Sequence, residues 1–327
     1  MIDEKTRSRF QKALQAWFRS QGRKLPWRDD PSPYRVLVSE FMLQQTTVAA
    51  VLPYFDRWMH ALPDVAALAA APEEKVLKLW EGLGYYSRAR NLHRAAKAIV
   101  QNFHGKIPSD LEQLRTLPGI GPYTAAAIAA FAFDQPVPVL DANIARVIAR
   151  LFDCRQDITT AAGRRFLEQA ASALLPASGG RQHTSALMDL GATICRSGPP
   201  ECSLCPVQKF CRATDPASLP IKPARKPVTR LVEWCALATK RRRVFLTPSP
   251  GPRWKGLWLL PTAEPSDTEP TATLTYAITR YRVTLHLRPT APAADWTPFP
   301  LDNLPPMPTP HRNALALALT KPRAPIE

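Results

Sequence analysis

Leu117-Pro118-Gly119-Ile120-Gly121-Pro122-Tyr123-Thr124-Ala125 is the stretch that decides how this chain folds. Pro122 can open a helix, because its ring presets φ and its missing N–H would find no partner in a first turn. Upstream, Ser109-Asp110-Leu111-Glu112 has the form of a capping box that starts a short helix ending at Leu117. Gly119 and Gly121 leave the turn between the two helices bare. Amides at the start of the second helix can therefore face an anion. Two helices joined this way grip a phosphate without reading a base, although a plain interhelical turn has the same form.

Outward from this turn, helical periodicity continues in both directions. Phe10, Leu14, Trp17 and Phe18 form an apolar stripe that Gly22 and Pro26 bring to a stop. A second helix is predicted from about Pro33 to Ala50. Further stripes follow at Val76–Trp80, Ala89–Phe103, Tyr123–Phe133, Asn143–Phe152, Ala162–Leu175 and Thr184–Cys195. Residues 1–214 thus read as all-α. Residues 215–229 are dense in Pro, Lys and Arg, as an extended linker would be. Beyond them, Leu231–Ala238, Val244–Thr247, Leu257–Leu260, Thr273–Ile278 and Arg282–Leu287 are short β-prone runs broken by Pro and Gly. With a closing helix at Arg312–Leu319, residues 230–327 read as a small α+β domain.

The 327 residues carry a formal net charge of +16, with 43 Lys and Arg against 27 Asp and Glu. A field of that sign attracts a polyanion, and a nucleic-acid backbone is the commonest one. Met1 to Arg23 is charged and amphipathic, unlike a signal peptide, and no apolar run is long enough to span a bilayer. The expectation is a soluble cytoplasmic protein with no membrane partner.

Cys195, Cys202, Cys205 and Cys211 follow the spacing C-x6-C-x2-C-x5-C. A quartet this tight can close around one metal centre and is too compressed to staple distant parts of a large domain. Four thiolates suit zinc or a [4Fe–4S] cluster, and the spacing leaves both open. The lone Cys154 and Cys235 read as buried small hydrophobes. Two carboxylates also stand out. Glu40 lies on the otherwise apolar run Val36-Leu37-Val38-Ser39-Glu40-Phe41-Met42-Leu43, where burial would raise its pKa. Asp141 follows Pro136-Val137-Pro138-Val139-Leu140 at a helix start, where it can serve as an N-cap. Paired carboxylates in unlike environments divide the work of breaking a glycosidic bond.

Together, L-P-G-I-G-P-Y-T-A at 117–125, V-L-D-A-N-I-A-R at 139–146 and the cysteine quartet resemble the helix-hairpin-helix DNA glycosylases that carry an iron–sulfur cluster. L-P-W-R at 25–28, S-E-F-M-L-Q-Q-T at 39–46 and G-L-G-Y-Y-S-R-A-R-N-L at 82–92 narrow the resemblance to the adenine DNA glycosylases of the MutY type. That family removes adenine mispaired with 8-oxoguanine or guanine from double-stranded DNA, flipping the base and leaving an abasic site. The resemblance implies a six-helix barrel and a cluster domain, with a [4Fe–4S] cluster on the loop 195–211, followed by a Nudix-like C-terminal recognition domain. It also implies a nucleoid-associated monomer.

By the same resemblance, Glu40 protonates the adenine, Asp141 stabilises the cationic sugar and Asn143 supports the carboxylates. Tyr123 stands where lyase relatives carry a Schiff-base lysine, which implies a monofunctional enzyme. Trp27, Arg28 and Leu43 match the adenine pocket. Gln45, Thr46, Leu83 and Tyr85 match residues that wedge into the stack or contact the opposite base, and Gly119 and Gly121 match the phosphate grip. The chain also departs from the family at several positions. Ala142 replaces a glycine, and Ser185 stands where Gln or Glu contacts adenine. Ile278-Thr279-Arg280 aligns with a Phe-Ser-His signature that touches the oxidised guanine. Near it, Trp254-Lys255-Gly256-Leu257-Trp258-Leu259-Leu260-Pro261 resembles the family's G-L-W-x-x-P stretch.

Overall fold

A computed structural model describes residues 2–224 and 227–320. Arg225 and Lys226 of the expected linker, and residues 321–327 of the expected C-terminal domain, lie outside the described residues. The chain divides into two compact units. One comprises Met1–Ala70 with Asn91–Ala224, and the other comprises Ala71–Arg90 with Arg225–Glu327. The stretch 71–90, helical and early in the sequence, thus belongs with the late β-rich residues, which no linear boundary anticipates.

The first unit is built from α1 (Glu4–Gln21), α2 (Pro26–Asp29), α3 (Pro33–Leu43), α4 (Val48–Ala61) and α5 (Val65–Ala70). α6 (Glu73–Trp80) belongs to the second unit, and α7 (Ser87–Phe103) begins there and continues into the first. The first unit then runs through α8 (Leu111–Arg115), α9 (Pro122–Phe133), α10 (Ala142–Leu151), α11 (Ala161–Leu174) and α12 (Gly180–Thr193). Local signals explain the ends. Asp3 caps α1 by accepting from the Thr6 amide at 2.8 Å, and Phe10 and Leu14 are its buried stripe. α9 is buried on nearly every side and packs against α3, α8 and α12, so it is the central helix of the unit.

Two boundaries differ from expectation. The helix predicted over Pro33–Ala50 breaks after Leu43. Gln45 takes φ +59°, and the Thr47 side chain accepts from the Ala50 amide as the cap of a new helix. A threonine that offers its own cap competes with helix continuation. At the short helix before the hairpin the cap is Asp110, one residue later than Ser109. Its carboxylate accepts from the Gln113 amide at 2.9 Å, while the Ser109 carbonyl is taken by the Gln135 side chain.

The first part of the expected linker is tied down. The Leu219 carbonyl accepts from Arg150 Nε at 3.1 Å, the Ile221 carbonyl accepts from the Ile158 amide, and Leu219 is buried.

In the second unit, β1 (Thr229–Leu237), β6 (Tyr281–Pro289) and β5 (Ala272–Ile278) form one sheet in the order β1-β6-β5. β1 and β6 are parallel, and β5 and β6 form an antiparallel hairpin. β2 (Thr239–Lys240), β3 (Arg243–Pro248) and β4 (Trp258–Leu259) form a second sheet, with β7 (Thr297–Pro300) paired to β3. The basic run at 240–243 is an exposed turn in which Arg241 and Arg242 both have positive φ, as a two-residue hairpin with native twist requires. α13 (Thr309–Thr320) packs on β5 and β6. Its Leu315 joins Val244, Leu246, Leu285, Leu287 and Met307 in the core. Among the described residues no helix is long and apolar enough to cross a membrane.

Candidate active site

The hairpin is built as its glycines require. Gly119 takes φ +79°, and a Cβ placed there would stand 2.5 Å from the Asn91 Cβ. Gly121 is the N-cap of α9, with extended backbone, no side-chain cap and open space where a Cβ would sit. The first amides of a helix have no intrahelical acceptor, so the α9 N-terminus presents donors that nothing on its cap covers.

α9 next delivers Tyr123 to a cavity of about 750 Å³ in the same unit. α3 contributes Glu40 and Leu43, the break after it contributes Gln45 and Thr46, and α2 contributes Trp27 and Arg28. Asp141, Ala142 and Asn143 line it from the start of α10.

Glu40 is only 5% exposed. Its carboxyl is pushed up to about 7, chiefly by burial; the Tyr123 hydroxyl lowers it, the Asp141 charge raises it and the Arg28 charge lowers it. Tyr123 donates to Glu40 Oε2 at 3.3 Å, and burial followed by the two nearby carboxylates holds its phenol well above the ordinary range. At neutral pH this cavity can therefore hold a protonated carboxyl, ready to donate.

Asp141 caps α10. Its Oδ1 accepts from the Ile144 amide at 2.6 Å and its Oδ2 from Asn143 Nδ2 at 2.9 Å, which fixes the carboxylate at the cavity wall. Asn143 is held in turn by Arg146, whose Nη2 donates to its Oδ1 at 2.9 Å. Ala142 sits inside α10 and is not among the positive-φ residues, so the backbone tolerates it where the family has glycine. A Cβ on Gly191 would stand 2.7 Å from Asn143, so α12 needs a bare residue there to pack against the start of α10.

The cysteine loop follows α12. Its thiols feel one another: Cys205 is pushed up to about 11, mainly by burial, with charges on Cys195, Cys211 and Cys202 adding to the rise. Arg150 is buried, and its Nη1 donates to Cys195 Sγ at 3.3 Å and to the Arg196 carbonyl at 2.8 Å. Nη2 reaches the Gly198 carbonyl at 2.9 Å. Among the described residues no set of three or more His, Cys, Asp or Glu is gathered as a metal-ion site.

Comparison with known proteins gives the lineage. Residues 38–172 match the HhH-GPD superfamily of base excision DNA repair proteins. An adenine DNA glycosylase of Buchnera aphidicola subsp. Schizaphis graminum is 32% identical over 257 residues, covering 77% of this chain and 74% of that protein. This chain belongs to the adenine DNA glycosylases. The mouse adenine DNA glycosylase is 40% identical over 252 residues, covering 73% of this chain. This chain spans about half of the mouse protein's length, 48%. A solved structure of a thermostable thymine-DNA glycosylase superposes with a TM-score of 0.58 at 28% identity, covering 64% of this chain and 96% of the other.

In this family member, the residues singled out by sequence fall into two groups. Trp27, Arg28, Glu40, Leu43, Gln45, Thr46, Tyr123, Asp141 and Asn143 share the one cavity. Leu83 and Tyr85 belong to the second unit, where Leu83 is buried and Tyr85 is 42% exposed with φ +48°. Burial leaves the Leu83 side chain unable to act as a surface contact. Tyr85 and Tyr86 line a second cavity, of about 600 Å³, with Arg90, Trp254, Tyr276 and Thr279. Thr279 and Arg280 are the two turn residues between the paired Ile278 and Tyr281. Thr279 has φ +50°, and Arg280 stacks its guanidinium 5.2 Å from the Tyr281 ring.

Ser185 is buried on α12 and does not line the Glu40 cavity; Arg181, Met188 and Ala192 do so from that helix. Sequence reading missed Arg23, Arg181 and Met188. For Arg181 and Met188 the signal was the helical spacing of 181, 188 and 192 on one face, which becomes informative only once the opposing helices are known. Arg23 lies before α2 and carries no such signal.

Proposed function

We propose that this chain is a monofunctional DNA glycosylase that hydrolyses the N-glycosidic bond of adenine mispaired with 8-oxoguanine or guanine. The observation that carries the reading is the sharing of one cavity by a buried, protonatable Glu40 and a fixed Asp141. The hairpin at Gly119 and Gly121 holds a phosphate of double-stranded DNA through the α9 amides, and the net charge of +16 favours the encounter. Gln45, Thr46 and Tyr85 engage the stack or the opposite base while adenine flips into the cavity against Trp27, Arg28 and Leu43.

Protonated Glu40 gives its proton to adenine N7, and the bond to C1′ breaks with its electron pair leaving on the base. Asp141 faces the cationic sugar and lowers its energy. Water then adds to C1′ as the Glu40 carboxylate takes its proton, which restores the acid and leaves an abasic site. Tyr123 has no amine to form a Schiff base, so no strand cleavage follows.

Cys195, Cys202, Cys205 and Cys211 fit a [4Fe–4S] cluster: they supply four thiols from one loop, and Arg150 donates to the Cys195 sulfur. One zinc ion with thiolates about 2.3 Å away would draw them to about 4 Å from one another, whereas an iron–sulfur cube spreads them wider. When bound, the cluster braces the loop after α12. The C-terminal unit is read as a Nudix-like recognition domain whose Thr279 and Arg280 face the opposite base. The protein acts as a monomer on nucleoid DNA.

Single-turnover base release on duplexes carrying A opposite 8-oxoguanine, A opposite G and T opposite G tests the reading. Adenine release, fastest opposite 8-oxoguanine, is expected. Thymine release alone would move the chain to the thymine glycosylases, and no release from any duplex would leave only a DNA-binding protein.

A further inference from the structure

Asp189 lies on α12 with its side chain fully buried, and the reaction just described does not use it. Its Oδ2 accepts from the Arg23 amide and from Arg28 Nη1, each at 2.9 Å. Its Oδ1 accepts from Arg28 Nη2 at 2.9 Å, from Arg23 Nε at 2.8 Å and from Arg23 Nη2 at 2.5 Å. Arg28 Nη1 also reaches back to the Arg23 carbonyl at 3.1 Å. Both arginines line the Glu40 cavity.

We infer that Asp189 is a positioning residue that locks Arg28 at the cavity wall, so that a flipped base meets a guanidinium of fixed orientation. The inference rests on the proposed function and deepens it.

The geometry argues for orientation over bulk stability. A carboxylate that engages both terminal nitrogens of a guanidinium fixes its plane as well as its position, which a single contact cannot do. The Arg23 contacts pin one end of the segment 23–28, and the Arg28 contacts pin the other. Leu25 and Trp27, both buried, are carried between them. Trp27 meets the Phe55 ring edge-on at 5.1 Å, and Arg28 lies 5.6 Å from the Phe18 ring. One N–H on Arg28 Nη2 and the N–H on Nε have no acceptor among the described residues and can meet acceptor atoms on a base edge.

The charge balance points the same way. One carboxylate against two guanidiniums leaves positive charge at a wall that Glu40 and Asp141 also line. Burial works against the Asp189 anion, but Arg28 and Arg23 together hold its carboxyl below the ordinary range, so the pair stays ionised at neutral pH.

The test uses the full-length protein and single-turnover adenine release from the duplex carrying A opposite 8-oxoguanine. Asp189→Asn keeps the size of the side chain and removes the charge-assisted fork. The expected result is a limiting rate about 10- to 100-fold lower, the scale of a misplaced contact group, with the half-saturating enzyme concentration unchanged within about twofold. Arg28→Lys, which keeps charge but not the fork, should lose a similar factor, and the double variant should fall no further than the worse single one. A wild-type limiting rate in Asp189→Asn, or losses that multiply in the double variant, overturns the inference. So does a rate loss matched by an equal loss of binding. Where Asp189→Asn does not fold, a wild-type rate in Arg28→Lys overturns it equally. Adenine release by the unaltered protein with any of these outcomes sinks the inference alone; no release by the unaltered protein sinks the proposed function with it.

Discussion

The Glu40 carboxyl ordinarily titrates at 4.5 and is pushed up to about 7 in the fold, chiefly by burial. Between those values the unfolded chain has released the proton and the folded chain keeps it, so stability falls as pH rises through that window and stays lower above it. The shift corresponds to about 3 kcal/mol, a cost of keeping an acid in an apolar wall. Glu40→Gln should therefore melt several degrees above the unaltered protein at pH 8 and alongside it near pH 4. Equal melting temperatures at both pH values would refute the raised pKa. The same variant should bind DNA normally and release no adenine. In the unaltered protein, the rate of release should drop as pH passes upward through about 7, because the proton donor is lost.

At the scale of elements, the hairpin separates two uses of glycine. Gly119 has φ +79° and no room for a Cβ beside Asn91, so Gly119→Ala should cost about 1–3 kcal/mol and lower the melting temperature. Gly121 has extended backbone and open space, so Gly121→Ala should leave melting unchanged. It should weaken binding to an undamaged duplex, because the new methyl would occupy open space beside the turn that an approaching phosphate needs. Equal melting losses in the two variants would contradict this division. The cysteine loop has its own test: iron and acid-labile sulfide at four each per chain are expected, and one equivalent of zinc would replace the cluster with a single-ion site. Replacing Cys202 with Ser should lose the iron signal.

At the scale of the whole molecule, Glu81 ties the early segment of the second unit to its late one. Its Oε1 accepts from the Met307 amide at 3.1 Å and from Arg312 Nε at 2.7 Å. Tyr86 adds a hydrogen bond to the Met307 carbonyl at 3.0 Å. Glu81→Ala should cost about 1–3 kcal/mol, because a buried amide and a guanidinium lose their acceptor together. An unchanged melting temperature would show that this joint carries no stability.

Much of this was legible from residues alone. The helical stripes, the bare hairpin, the cap at Asp141, the acid on an apolar helix and the cysteine spacing all depend on neighbours within a few positions, where backbone geometry and side-chain periodicity act. The misread boundaries at Gln45 and Asp110 are also local, but there two residues compete for one capping role and the winner depends on packing. What only the tertiary structure decided involves residues far apart in the chain. Asp189 reaches Arg23 and Arg28, Ser185 is hidden while Arg181 and Met188 face the cavity, and residues 71–90 join the C-terminal strands. Periodicity shows that a helix has a face, but not what stands opposite it; long-range packing and the pairing of buried charge settle that.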